Sequence, residues 1–306
     1  MTFTEFCQAH GIIIDKPPRL GVWERYPTEA HPRKRNGAVK WMGDYGFLQD
    51  HAIHTEVQFW RTDKPIKVDA KLTRLAIQHA AEERRKLQES AAMRASMIVN
   101  KCVIGRHDYL KRKGFPDERA LLWFNNHEER LVIPMYDDKN HLVGVQLIDE
   151  FGGKKFLYGQ QTSGANFVMG RGELNVLCEG FATGLSIRAA ARALKHDWRI
   201  HVCFSANNLV TISRRLKPGL VVADNDKSGT GERVAKETGW RYWISDAEGE
   251  DFNDYHQRAG LHQAAQSLWC LLYPSRGGSM RGQDSLLLAI GARKLREEGH
   301  SGLKSG

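Results

Sequence analysis

ELNVLCEG at 173–180, LVVADNDKSG at 220–229 and GEDFNDY at 249–255 set the architecture of this chain. Each piece places carboxylates just past a short apolar run: Glu179, then Asp224 and Asp226, then Asp251 and Asp254. Between them lie helical patterns, FATGLSIRAAARAL, NNLVTISRRL and GERVAKETG, alternating with the apolar runs RIHVCFS, GLVVAD and RYWIS. Short apolar runs between helices read as buried parallel strands, and the alternation implies βαβ units in an α/β fold. In such a sheet the residues just beyond the carboxyl ends of the strands line the ligand crevice. Acids far apart in the chain are thereby expected at one edge. Clustered carboxylates repel unless a cation sits between them, and an all-oxygen donor set suits Mg²⁺.

Taken singly, each acidic piece is a weak signal, and DNDKSG also has to be weighed as a calcium loop. Such a loop closes with an acid at its twelfth position; counting from Asp224 that position is Ala235, and a strand precedes the piece. The calcium reading fails on both counts. No G-x-x-x-x-G-K-[ST] string occurs, which excludes a nucleotide-motor P-loop; GGKKF at 152–156 lacks the Ser or Thr.

Upstream, 99–171 reads as a basic α+β lobe. HDYLKRKGF (107–115) is a short helix with a glycine stop, Pro116 starts another, and RLVIPMYDDKNHLVGVQLID (130–149) is a β-hairpin turning at Asp137–Asn140. GGKKFLYG (152–159) adds a turn and strand. Residues 69–98 form a helical linker, with Leu72, Leu75, Ala76 and His79 on one face and the solvated run EERRKLQE following. Residues 1–68 form a small β-rich module. Trp41, Phe47, Phe59 and Trp60 are its expected core; the alternative is that some aromatics, with Arg33, Lys34, Arg35 and Lys40, clamp a single strand. After the α/β unit (172–258), residues 259–306 give a helix, a loose tether at PSRGGSMRGQDS and a last amphipathic helix that packs back or docks on a partner.

The 306-residue chain carries a formal net charge of +9, which favours a polyanionic partner, nucleic acid before membrane. Its five cysteines are scattered without a CxxC pair, so neither a disulfide framework nor a zinc ribbon is expected, and a reducing cytosol is the default compartment. His51 and His54 are ligand-like, but no cysteine pair completes a tetrahedral site. No signal peptide and no membrane span are read.

A carboxylate after the first strand, D-x-D after the third and an acid after the fourth resemble the Toprim fold. That fold is shared by bacterial-type primases, topoisomerases, OLD-family nucleases and recombination mediators. From about Lys101 to Gly260 the chain is similar to DnaG-type primases. It is most similar to the TraC-type primases of conjugative plasmids and the P4-type primases of phages, in which CEG, D-N-D and EDFND recur. RYPTEAHPRKRNGAVKW (25–41) is more distantly reminiscent of the same group.

The resemblance implies catalysis and Mg²⁺ or Mn²⁺ binding by Glu179, Asp224 and Asp226, with Asp251 favoured over Asp254 as a further metal-site acid. It places the incoming nucleotide at Lys154 or Lys155, with Lys227 either a phosphate contact or a turn residue. Arg33, Lys34, Arg35, Lys111, Arg112 and Lys113 are the expected nucleic-acid contacts, whereas Arg188 and Arg192 are read as solvated. The implied activity is synthesis of short RNA primers from ribonucleoside triphosphates on single-stranded DNA, in the replication of a phage, plasmid or mobile element. The implied setting is a bacterial cytosol or a phage-infected host.

The chain departs from the pattern in three ways. It has no zinc ribbon, no arginine near Gln146 where DnaG-type enzymes often carry one, and no fused helicase, so any replicative helicase acts in trans. Two other readings compete. A Toprim nuclease would need no nucleotides, and a non-catalytic single-strand-binding accessory protein would leave three acidic clusters unused.

Overall fold

Three sheets follow one another along the chain in a computed structural model that describes residues 1–50, 57–62, 70–125 and 128–273. The first is an antiparallel meander of β1 (Trp23–Tyr26), β2 (Gly37–Trp41), β3 (Tyr45–Asp50) and β4 (Gln58–Arg61). Helix α1 (Phe3–Ala9) covers one face. Its start is fixed by a capping box in which Thr2 and Glu5 exchange side-chain to backbone hydrogen bonds of 3.2 and 2.8 Å. Phe3, Cys7, Ile12, Tyr26, Val39, Leu48 and Trp60 form the core of this module.

The expected aromatic core is corrected here. Trp60 is buried and Trp41 packs partly against it, but Phe47 is only half-buried and Phe59 is exposed. The reason is the two-residue period of a strand: Phe59 precedes Trp60, so the two rings point to opposite faces.

Helix α2 (Ala70–Asn100) spans 31 residues, about 46 Å at 1.5 Å per residue. Glu83 on its first half pairs with Arg19 of the N-terminal module at 3.4 Å. Ala95 and Ile98 near its end pack on Val132 and Val145 of the second sheet. The charged run pairs with itself on the solvent side, Arg85 with Glu82 and Glu89, which contributes little to stability.

The second sheet is the meander β5 (Val103–Gly105), β6 (Ala120–Asn125), β7 (Glu128–Tyr136), β8 (Leu142–Ile148) and β9 (Lys154–Phe156), with α3 (Asp108–Arg112) after β5. The β7–β8 hairpin turns where expected. Asp137 accepts backbone N–H bonds from Lys139 and His141, and Asn140 takes the left-handed conformation at φ 64°. No helix follows Pro116, contrary to expectation. A turn leads into β6, because Leu121 to Asn125 pair with β7 and gain a ladder that an isolated helical turn would lack.

The third sheet holds β10 (Phe167–Met169), β11 (Asn175–Cys178), β12 (Arg199–Val202), β13 (Leu220–Val222) and β14 (Arg241–Trp243), in the order β10-β12-β11-β13-β14. β10 is an antiparallel edge and the other four strands are parallel. The intervening helices are α4 (Phe181–Ala193), α5 (Ala206–Ser213) and α6 (Thr230–Thr238), followed by α7 (Phe252–Ala259) and α8 (Leu261–Leu272).

Strand alternation sorts the two faces. Val176 and Cys178 of β11 meet Phe181 and Leu185 of α4, Phe252 of α7 and Leu268 of α8. Leu177 between them meets Leu209 and Ile212 of α5 and Val234 of α6. Each such buried aliphatic side chain contributes about 1.5–3 kcal/mol. The first of these clusters continues into Leu110, Leu122, Leu131, Ile133 and Ile148, so the second and third sheets share one core. This is the expected α/β Toprim architecture, a mostly parallel sheet between helices, preceded by an α+β lobe and a β-rich module.

Candidate active site

The strand order places a topological switch point between β11 and β13. From β11 the chain passes through α4 to β12 on one side. From β12 it crosses through α5 to β13 on the other. Helices leave on opposite faces there and the crevice between them opens at the carboxyl ends of the strands. Glu179 is the first residue past β11 and Asp224 the second past β13.

Both ends are fixed by ladder bonds that outlast the strands. Cys203 and Phe204 donate to the carbonyls of Cys178 and Glu179 at 2.8 and 2.9 Å, and Ala223 donates to Trp243 at 2.9 Å. Gly231 in the first turn of α6 permits a further close approach. A β-carbon there would come within 2.0 Å of the Asp224 carbonyl oxygen, so only glycine lets α6 begin against this strand end.

A cleft of about 480 Å³ opens over these residues, a volume typical of small-molecule sites. Glu179, Asp224, Asp251 and Asp254 line it from the parallel-sheet unit. Arg112, Lys113 and Lys154 line it from the preceding lobe. Burial, reinforced by Glu179 and Asp251, pushes the Asp224 carboxyl up to about 7. Burial likewise raises Glu179, against the pull of Lys154. One oxygen of Asp224, Oδ1, is buried without a hydrogen-bond partner.

A buried orphan acceptor beside two further carboxylates is a costly arrangement that a cation would relieve. The donor set is all oxygen, which suits a hard cation such as Mg²⁺ or Mn²⁺. As placed, no three His, Cys, Asp or Glu side chains among the described residues form a ready-made metal cage.

Asp251 caps α7, accepting from the Asp254 backbone N–H at 2.8 Å, and faces the cleft as well. Asp254 is held by Lys113 at 3.0 Å. Asp226 behaves differently from Asp224. Burial opposes its charge, but hydrogen bonds from Ser228, Thr230 and Gly231 outweigh this and hold its carboxyl below the usual range. Both its oxygens are occupied in shaping the turn into α6, and it is not among the residues lining the cleft.

Lys154 and Lys155 separate by strand alternation. Lys154 reaches the cleft, its Nζ 3.9 Å from where a β-carbon on Gly180 would lie, whereas Lys155 is on the other face, near Glu128. Lys227 is exposed in the turn after Asp226, and Lys111 is exposed on α3 and does not line the cleft. Arg112 donates to the Glu150 carbonyl at the rim.

Arg33 and Lys34 are exposed on the β1–β2 loop, while Arg35 is held by Asp15 at 3.0 Å and donates to the Arg25 carbonyl. These three lie in the N-terminal module and do not line the cleft. Arg192 is exposed as expected. Arg188 is not: it is mostly buried and pairs with Glu118 at 2.5 Å, joining α4 to the segment before β6. His51, His54 and the final helix lie outside the described residues.

Three contributors escaped sequence reasoning. Tyr109 lines the cleft from α3, and Phe151, 79% exposed, stands at its rim. Gly231 supports Asp224 through the close approach described above. The glycine had a local signal in DNDKSGTG; the two aromatics had none, since only the packing of the lobes brings them near the acids.

Residues 175–262 match the family model of the Toprim domain. The matched segment spans β11 to the start of α8 and so includes all the acids of the cleft. Several solved structures are similar to the chain, among them the following three. One is the bacteriophage T7 lagging-strand DNA polymerase interacting with primase domains of two gp4 subunits bound to an RNA/DNA hybrid and dTTP. It is 14% identical with a TM-score of 0.39, over 53% of this chain and 85% of that one. The primase fragment of the bacteriophage T7 primase-helicase protein is 12% identical at a TM-score of 0.38, over 53% and 69%. The DnaG primase catalytic domain bound to single-stranded DNA is 14% identical at a TM-score of 0.33, over 61% and 74%. Likeness this remote carries no function by itself.

Proposed function

We propose that this protein is a Toprim-type DNA primase, a nucleotidyltransferase that joins ribonucleotides on a single-stranded DNA template. One observation carries the reading: the acids at the switch point, Glu179 and Asp224, face Lys154, Lys113 and Arg112 of the preceding lobe across a single cleft. Carboxylates opposite cations suit a metal-bound polyphosphate, which needs both.

Glu179 and Asp224, with Asp251 beside them, would hold Mg²⁺ or Mn²⁺. When bound, the metal neutralises charge on the transferring phosphate and polarises the attacking hydroxyl. Lys154 holds the triphosphate against the acidic wall, and the first turn of α4 at Ala182 and Thr183 presents backbone N–H groups to the same space. The 3′-hydroxyl of one nucleotide gives up its proton to water, and its oxygen forms a bond to the α-phosphorus of the next. The bond from that phosphorus to its bridging oxygen breaks, and pyrophosphate leaves with the electron pair. Phe151 at the rim offers a ring face to a base.

Within this reading the setting is the replication of a phage, plasmid or other mobile element. The TraC-type and P4-type primases are the group it resembles, and a replicative helicase is a partner that this reading calls for.

Primer synthesis tests the proposal. Labelled ribonucleotides, mixed-sequence single-stranded DNA and Mg²⁺ or Mn²⁺ should yield short labelled products with wild type and none with Glu179→Gln. A shortened template without products would replace the primase by a nuclease. Bound but unaltered template, with and without a replicative helicase, would make the protein an accessory subunit.

A further inference from the structure

The outer face of the N-terminal sheet is built unlike its inner face. By register it presents Trp23 and Arg25 of β1, Lys40 of β2, Tyr45 and Phe47 of β3, and Phe59 and Arg61 of β4. Phe47 stands between Lys40 and Phe59, and Tyr45 opposite Arg61. The rings form a continuous patch: Trp23–Phe47 centroids are 6.4 Å apart, Phe47–Phe59 5.5 Å and Tyr45–Phe47 5.7 Å. Trp23 is 42% and Phe59 56% exposed.

An antiparallel sheet with one covered face ordinarily puts polar residues on the other. Four touching aromatics there leave apolar surface in water at a cost, and an exposed apolar patch of this kind marks an interaction site.

The charges select the partner. Arg25, Lys40 and Arg61 are interleaved with the rings. The only carboxylates within the four strands, Glu24 and Asp50, are buried on the inner side, at 7% and 2% exposure. Helix α2 approaches this module through the loop before β1, where Ile77 lies against Gly21 and Glu83 pairs with Arg19. Aromatic rings set among cations, with no acid on their face among the described strand residues, match a flexible polyanion whose units carry flat rings.

We propose that this face is a single-strand docking platform. Bases stack on Trp23, Phe47 and Phe59 while Arg25, Lys40 and Arg61 take the phosphates. The occupant is single-stranded DNA; that choice over RNA rests on the proposed function, whereas the stacking surface itself does not. The platform is separate from the carboxylate cleft and includes none of its residues.

Fluorescence anisotropy of the full chain with labelled oligo-dT, oligo-rU and duplex DNA tests it. Trp23→Ala with Phe59→Ala should weaken oligo-dT binding by about tenfold or more, since a stacked base contributes about 1–3 kcal/mol. Both side chains are exposed, so the melting temperature should hold. Lys40→Gln with Arg61→Gln should lower the slope of log affinity against log salt by about 0.7 for each phosphate no longer neutralised. Glu179→Gln should bind oligo-dT like wild type, so that a failed primase reading and a failed platform give different results.

Unchanged affinity in the double aromatic variant would overturn the platform, as would a wild-type protein that binds duplex equally well. Tenfold preference for oligo-rU would overturn the choice of DNA. A wild-type dimer that the aromatic variant splits, with unchanged DNA binding, would assign the face to a second copy instead.

Discussion

Asp224 concentrates the electrostatic cost of the site. Its carboxyl is raised from an ordinary 3.8 to about 7, chiefly by burial, so the folded chain keeps a proton that the unfolded chain has lost between those values. Stability from this group therefore falls as pH rises through that window, and the full cost is felt above about pH 7. Asp224→Asn in chelator at pH 8 should raise stability on the order of 1 kcal/mol, or about 2–4 °C in melting temperature, while abolishing activity. At pH 4 the two proteins should melt together. A variant that melts lower at pH 8 would show that the carboxylate is satisfied without a cation. Lys154 and Lys155 give a second test among single side chains. Lys154→Ala should lower kcat/KM by about 10²–10³-fold, the size of losing one group that stabilises transition-state charge, and Lys155→Ala by no more than about twofold. Sequence alone left this pair open, because neighbouring lysines differ only by the face of β9 on which they fall, and that depends on register with β8.

Among the elements, the alternation of apolar runs and helical patterns made the parallel sheet legible, since the period and length of buried strands are local properties. The position of Glu179, Asp224 and Asp251 at one edge was legible for the same reason: each ends or follows a strand. The hydrogen bonds that Asp226 accepts were not, because they come from N–H groups of a turn whose geometry depends on how α6 meets the sheet. The segment after Pro116 was misread as helix because its pairing with β7 is non-local. Gly231 marks a tight junction, with room for no side chain before the Asp224 carbonyl. Gly231→Ala should cost about 1–3 kcal/mol in urea unfolding, the usual penalty of overpacking, and displace Asp224 from the cleft. An unchanged unfolding midpoint would mean that α6 can shift without loss.

In the molecule as a whole, the cleft exists only because two units share a core. Neither the acids nor the lysines are complete alone: Lys113 reaches Asp254, and Arg188 of α4 reaches Glu118 before β6. This joint was invisible in sequence, where Arg188 reads as one more solvated helix charge. Truncating it to Arg188→Ala leaves Glu118 mostly buried without its partner, and should cost on the order of 2–3 kcal/mol while raising KM for nucleotide. A loss in stability with KM unchanged would separate the joint from the site. The basic balance of the chain was legible in composition, but its distribution was not. Part of it faces the acids, and part is set among the rings of the N-terminal sheet.

Everything proposed for the cleft depends on the switch-point carboxylates forming a divalent-cation site. Mn²⁺ binding followed by electron paramagnetic resonance reads this directly, in wild type, Asp224→Asn and Glu179→Gln. Wild type should bind an ion whose affinity strengthens as pH rises through about 7, where Asp224 gives up its proton, and both variants should lose that ion. Equal Mn²⁺ binding in all three proteins, or none in wild type at pH 8, would rule the site out.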